Sequence, residues 1–318
     1  MIIKRIDIKE IITFLGGGKN LVVFGPTEGV FIDNLADVAH VTETTLDWVL
    51  PTKANKQEIV EQSKAKVLLV DPEVIYSKLM QERGKTLLVV SSPKVALARI
   101  GNHFFTKKPK PGIHPTAVVS ENAQIGKNVS IGPCSVIGAA TIGDDCVIDS
   151  NVRIHDGVVM GRGCNIKSGA VLGGEGFGFE KDEQGNRFRF PQIGGLILGD
   201  FVEVGANTCI DRGALSDTII GSHTKINNLC HIAHNNVIGK NVEITGCVNV
   251  SGGNVIEDNV WISPNASLVG YVHVGENSMI GMGAVVVKDV PANEVWVGNP
   301  ARKLKDKQIL SNEKKDSS

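Results

Sequence analysis

From Ile220 onward every sixth residue is aliphatic: Ile220, Ile226, Ile232, Ile238, Ile244, Val250, Ile256, Ile262, Leu268, Val274, Ile280 and Val286 follow without a miss. A period of six fits neither the 3.6 of an amphipathic helix nor the 2.0 of a half-buried strand. It fits a parallel β-helix, in which short strands turn at corners and one aliphatic per face points into a shared axial core. Three hexads close one triangular coil, so residues 18 apart stack on neighbouring rungs. A single rung cannot bury its apolar face alone, and the coil is stable only as an array.

The composition agrees. Glycine is abundant, with 36 residues, and aromatics make up only 5%, as expected where tight corners repeat and β-branched side chains fill a narrow core. A formal net charge of −1 leaves no basic excess and speaks against a nucleic-acid partner. The first ten residues mix charged and apolar side chains, and no run of 18 apolar residues occurs anywhere. The expectation is a cytoplasmic protein without signal peptide or transmembrane segment. The six cysteines form no CxxC pair, which excludes a zinc framework or disulfide scaffold of the usual spacing. Cys146 and Cys164, 18 apart, are placed to stack on adjacent rungs as small buried reduced residues.

Residues 1–106 lack the hexad register and read as a small α/β domain. Strands are expected over residues 21–24, 66–70 and 86–90, and helices over 55–64 and 93–105. The run Lys107-Lys108-Pro109-Lys110-Pro111-Gly112 is a linker with solvated lysines. The β-helix domain spans 113–290. It starts its register at Ile125, Ile131 and Ile137, slips by one residue near Ala140, and resumes from Ile142 to Leu172. The count then breaks for an insertion at about 173–195, which carries Phe177, Phe179, Phe188 and Phe190. Aromatics on such an excursion need a partner surface: they pack on another part of the protein or line a ligand groove. The register restarts at Leu198, pauses over 211–217, and ends near Val290. Residues 291–318 then form a cap and a short charged tail, expected to be helical or frayed.

His234 stands near a corner in the most regular part of the repeat, two residues after the inward Ile232. An imidazole on a rigid coil suits general-base work, because it titrates near neutral pH; a hydrogen-bonded structural histidine is the competing reading. His231 and His234 should point in different directions and have no third histidine beside them, so no metal site is expected.

Several blocks together resemble the UDP-3-O-(3-hydroxyacyl)glucosamine N-acyltransferases, across roughly residues 1–300. They are Gly174-Glu175-Gly176-Phe177-Gly178-Phe179, Pro191-Gln192-Ile193-Gly194, Gly205-Ala206-Asn207-Thr208-Cys209-Ile210-Asp211-Arg212-Gly213-Ala214-Leu215 and Cys230-His231-Ile232-Ala233-His234-Asn235. The resemblance implies a homotrimer of left-handed β-helices with active sites between subunits. The activity it implies is transfer of a 3-hydroxyacyl chain in lipid A biosynthesis. Acyl carrier protein would carry the chain as a thioester on its 4′-phosphopantetheine arm, as co-substrate, with no bound cofactor. The acceptor would be the C2 amine of a UDP-3-O-acyl-glucosamine.

In that family the histidine matching His234 is the base. Gly252, one rung further on, is the candidate backbone donor to the oxyanion, and Asp217, nearly one rung before, a candidate to orient the imidazole. Trp48 matches the aromatic that stacks on uracil, with burial in its own domain as the alternative. Asn235, Phe177 and Phe179 are expected at the substrate. Tyr271 or His273 would contact the acyl donor, where the family often has a second histidine. The family's C-terminal extension is reduced here, and the segments at 286–293 and 297–302 resemble the tail of hexapeptide acetyltransferases. A transfer from acetyl-CoA to another UDP-amino-sugar is therefore the alternative reading.

Overall fold

Short strands, most of two or three residues and most ending on an inward aliphatic, build the larger part of the chain. The computed structural model describes residues 5–16, 21–107 and 109–307. Met1 to Lys4, Lys108 of the linker and the expected tail beyond Lys307 lie outside them. The chain divides into two compact units, Met1–Lys108 and Pro109–Ser318.

The second unit is a parallel β-helix with three long sheets of 11, 9 and 8 strands. Each coil contributes one strand to each sheet in turn, and equivalent residues pair in register: Ile210 with Ile232, Ile232 with Val250, Val250 with Leu268. The hexad aliphatics from Ile131 to Val286 are buried in one continuous core. Rungs about 4.8 Å apart bring like side chains into contact along the axis. Corners demand a left-handed backbone, and short polar residues accept it most readily: Asn128, Asn151, Asn207, Asn235, Asn241, Asn259 and Asn265 all have φ near +60°.

The register slip at Ala140 is a corner one residue short, closed by the Ala140 N–H donating to the Gly138 carbonyl at 2.8 Å. The insertion leaves the coil after the strand Val171–Gly174 and returns at Leu196–Leu198. Between them, Phe179–Lys181 and Arg187–Arg189 pair as an antiparallel hairpin. At the C-terminal end Glu294–Val297 pairs in parallel with Met279–Ile280. The expected helical or frayed tail is corrected in its first part: Arg302–Asp306 is a strand, antiparallel to Glu294–Val297. It has an open sheet edge to pair with, and Lys303 bridges Glu294 and Asp306 at 2.7 and 2.8 Å.

The first unit is built on a four-stranded sheet ordered Val22–Phe24, Thr86–Val89, Val67–Val70 and Leu46–Trp48. The expected helix over residues 93–105 is α-helical over Pro93–Ile100 and continues as a wider π turn over Gly101–Phe105. The strand Leu46–Trp48 and the helices Ile8–Phe14 and Lys78–Glu82 add to the expected elements. Among the described residues no helix is long and apolar enough to cross a membrane.

The axial core sets the stability of the rung that carries His234. Replacing the fully buried Ile232 with Ala should cost about 2–5 kcal/mol in urea unfolding. The same truncation at the exposed Val237, on the next strand of the coil, should change stability by less than about 0.5 kcal/mol.

Candidate active site

One corner of the coil, where the second sheet passes to the third, gathers nearly all the irregular features. From rung to rung it holds His155 and Asp156, then the insertion at residues 175–195, then the long turn at 211–217. Next come His234 and Asn235, then Gly252 and Gly253, then Gly270 and Tyr271.

His234 leaves the coil just after the strand His231–Ile232, and its carbonyl accepts the Gly253 N–H at 3.0 Å. Its imidazole is clasped by two glycines. A Cβ on Gly252 would lie 2.8 Å from the ring's Cε1 and 3.0 Å from Nε2, and a Cβ on Gly176, from the insertion, 2.8 Å from Cδ2. Any side chain at either position would displace the ring.

Asn235 fixes the ring's tautomer. Its Oδ1 lies 2.9 Å from His234 Nδ1 and also accepts the Ala214 N–H at 3.0 Å. Its Nδ2 donates to the Ser216 carbonyl at 3.0 Å and to the Ser216 hydroxyl at 2.9 Å. A backbone donor on one side and a backbone acceptor on the other leave the amide one orientation. The oxygen facing the imidazole can only accept, so Nδ1 carries the proton and Nε2 presents its lone pair. Among the described residues nothing hydrogen-bonds to Nε2, and nothing accepts the Gly252 N–H.

Two of the expected roles change. Asp217 does not orient the imidazole: its Oδ1 accepts the Gly195 N–H at 2.7 Å and anchors the return of the insertion. The extra residues lie just before it: Cys209 pairs with His231 across 22 positions, whereas Ile219 pairs with Val237 across 18. Counting back one standard rung therefore lands inside the extra turn. Asn235, expected to touch substrate, uses every polar atom of its amide within the protein, with Oδ1 turned to the imidazole.

Tyr271 is 83% exposed, two rungs from Asn235 in the same corner column, with its ring over Gly253. His273 lies beyond the corner on the third sheet, with Nε2 2.9 Å from Glu257 Oε1. Phe177 and Phe179 meet edge to face at 5.0 Å, Arg189 lies over the Phe179 ring, and Arg187 completes a hollow with the two phenylalanines. In the first unit Trp48 packs against that unit's core and also borders a hollow with Val38, Val41 and Ile59. Both readings of that indole keep their support. Cys146 and Cys164 are buried and free.

Sequence reasoning gave no role to Gly176, Gln192 or Asp211. Gln192, only 7% exposed, places Oε1 2.9 Å from the point where a Gly176 Cβ would sit, beside the His234 ring, and no described residue donates to that oxygen. Asp211 ends the strand Cys209–Asp211 one rung below His234; its side chain is 14% exposed, with Oδ2 3.8 Å from His231 Nε2. Burial pushes its carboxyl above the usual range, opposed by the two imidazoles of His231 and His234. A break in the hexad count beside a histidine corner was the available signal for all three.

A model for bacterial transferase hexapeptide (six repeats) matches residues 139–174 and 255–288. A UDP-3-O-acylglucosamine N-acyltransferase of Pseudomonas syringae pv. tomato is 46% identical over 169 residues, 46% of this chain and 48% of that protein. UDP-3-O-acylglucosamine N-acyltransferase 1 of Francisella tularensis subsp. holarctica is 36% identical over 235 residues, 67% of each chain. The chain belongs to the UDP-3-O-acylglucosamine N-acyltransferase family. It spans between about half and two thirds of the length of the curated relatives it matches. Among solved structures, the UDP-N-acetylglucosamine O-acyltransferase of Moraxella catarrhalis superposes with a TM-score of 0.54 at 28% identity, over 60% of this chain and 73% of that one. The coil is the left-handed parallel β-helix.

Nitrogen NMR of the imidazole checks the tautomer: His234 should show a protonated Nδ1 and a bare Nε2, and Asn235→Ala should give a mixture of both forms. A buried carboxyl held above its unfolded value stabilises the fold only below the unfolded value, and that contribution is lost as pH rises through the folded one. Asp211→Asn should therefore raise the thermal midpoint at pH 7, with the gain shrinking as the pH is brought down towards 4 in melts of the two proteins.

Proposed function

We propose that the protein acylates the C2 amine of a UDP-3-O-acyl-glucosamine with a 3-hydroxyacyl chain drawn from acyl carrier protein; the names of its relatives support N-acyl transfer to a UDP-3-O-acylglucosamine. The observation that carries the reading is the imidazole of His234, pinned at Nδ1, clasped by Gly176 and Gly252, and open at Nε2.

In this reaction the amine nitrogen attacks the thioester carbonyl while Nε2 takes one of its protons. The carbonyl oxygen becomes an anion, for which the unpaired Gly252 N–H is a preorganised donor. The intermediate collapses, the C–S bond breaks, and the imidazolium returns its proton to the phosphopantetheine thiolate. A glycine at 252 serves both ends of the step, since its missing side chain leaves the imidazole room beside the backbone N–H.

The remaining parts of the proposal follow from the exposed groups. The Phe177 and Phe179 hollow receives the apolar chain, Tyr271 contacts the arm of the donor, and His273, tied to Glu257, stays at the periphery. In the first unit, Trp48 offers its indole to the uracil base, a contact worth roughly 1–3 kcal/mol. The working assembly is a homotrimer in the cytoplasm, with Phe177 and its neighbours available at subunit seams. Light scattering of the purified protein tests the trimer.

The deciding experiment offers purified protein the UDP-3-O-acyl-glucosamine with either 3-hydroxyacyl-acyl carrier protein or acetyl-CoA. Turnover with the carrier-protein thioester is expected, and turnover with acetyl-CoA alone would overturn the reading in favour of an acetyltransferase. His234→Ala should lower kcat by about 10²–10⁴. In the wild type kcat should climb from acid to neutral pH, because only the neutral imidazole accepts a proton. A flat profile in a single-turnover assay would remove His234 from the base's role.

A further inference from the structure

The coil does not by itself decide whether oxygen or nitrogen is acylated, and a group at the corner must make that choice. We infer that Asp211 receives the acceptor's amine and makes the site selective for nitrogen over oxygen. The inference rests on the amine-acylation reading above and names the residue that would enforce it.

Five other aspartates at the coil's corners are engaged. Asp144 accepts the Lys127 N–H, Asp156 that of Ala139, Asp200 that of Arg162, Asp217 that of Gly195 and Asp258 that of Lys240. Each ties one rung to the next. Asp211 differs: no described residue donates a hydrogen bond to its carboxylate. The imidazole nitrogen His231 Nε2 is 3.8 Å away, too far for a hydrogen bond, and that imidazole is 48% exposed. A carboxylate six-sevenths buried and left without a donor is costly to keep, and burial already presses its carboxyl towards the neutral form. Charges held at such expense beside a reacting group are characteristic of functional sites.

Its position gives the charge a use. Asp211 is on the rung below His234, in the column of Ala233, so the carboxylate lies between the outward His231 and the catalytic corner. Its oxygens are not sealed off, since the side chain keeps 14% of its surface. An attacking amine gains positive charge as its N–C bond forms, until His234 Nε2 removes a proton and the C–S bond breaks with that proton passing to the thiolate. A carboxylate within hydrogen-bond reach of the nitrogen stabilises this ammonium character without itself gaining or losing a proton. A hydroxyl nucleophile moves instead towards alkoxide, and the same carboxylate repels it. The preference for nitrogen is thus electrostatic and is felt most in the transition state.

The test compares two ligands within one variant. The acceptor with its C2 amine is assayed for kcat/KM with 3-hydroxyacyl-acyl carrier protein, and its C2-hydroxyl analogue for Ki as a competitive inhibitor, in the wild type and in Asp211→Asn. The variant should lose roughly 10- to 100-fold in kcat/KM for the amine, the value of one charge-assisted hydrogen bond, while Ki for the hydroxyl analogue stays within about threefold. The unchanged Ki shows that the site is still folded and shaped. Asp211→Asn with amine kcat/KM within about threefold of wild type would overturn the inference, and so would equal weakening of both ligands, which means the residue only shapes the pocket. Wild-type turnover with an unaffected variant removes this inference alone. A wild type inactive on the amine with every thioester donor removes the proposed function along with it.

Discussion

In-register stacking of aliphatic side chains along the axis is the constraint from which the rest of the structure follows. Each inward Ile, Leu or Val is covered only by its counterparts above and below and by the two other faces of its own coil. Parallel pairing without slippage keeps Ile210, Ile232, Val250 and Leu268 in one column. That rigidity carries outward to the corner, where residues on successive rungs stand at fixed height and fixed angle. The imidazole of His234 can be clasped by a glycine from the rung above because the two backbones have no freedom to separate.

The corner then divides its work between precise and costly parts. Asn235 is held in a left-handed turn with φ of +61°, and the turn swings its amide back onto the preceding side chain. Two backbone groups and a serine hold that amide in turn, so the tautomer of His234 is set by main chain two shells away. Asp211 and Gln192 lie at the other extreme: the buried Gln192 Oε1 and the mostly buried Asp211 carboxylate receive no donor from the described residues. Neither has a backbone donor of the kind that holds Asp144, Asp156, Asp200, Asp217 and Asp258.

The sixfold repeat made the coil legible because each period reports an inward position directly, and the lost count marked the insertion for the same reason. His234 was legible from its corner and its neighbouring residues. What failed was counting across a rung of unequal length: 18 positions back from His234 lies the end of the enlarged turn, near Asp217, whereas the strand beneath it, with Asp211, lies 22 positions back. Asn235 was placed on the substrate because sequence adjacency says nothing of a left-handed turn that folds one side chain against the next. The residues after Arg302 were expected to be helical or frayed because their charges give no period, whereas an unpaired sheet edge recruits Arg302–Asp306 into a strand. In the first unit, the helix Ile8–Phe14 begins with Asp7 accepting the Lys9 N–H, a cap close to the start of the chain and easily read as part of an irregular terminus.

The two enlargements of the coil, at residues 175–195 and 211–217, arise at the same corner on consecutive rungs. The ladders on either side close again at once: Val158 pairs with Leu196, and Leu196 with Thr218. Chain can therefore be added or removed there at the modest entropic cost of a longer loop, leaving the faces as they were. A scaffold of this kind separates its architecture from its chemistry. Mutation at that single edge can recast which molecule is gripped, while the column of aliphatics, and with it the ability to fold, is inherited intact.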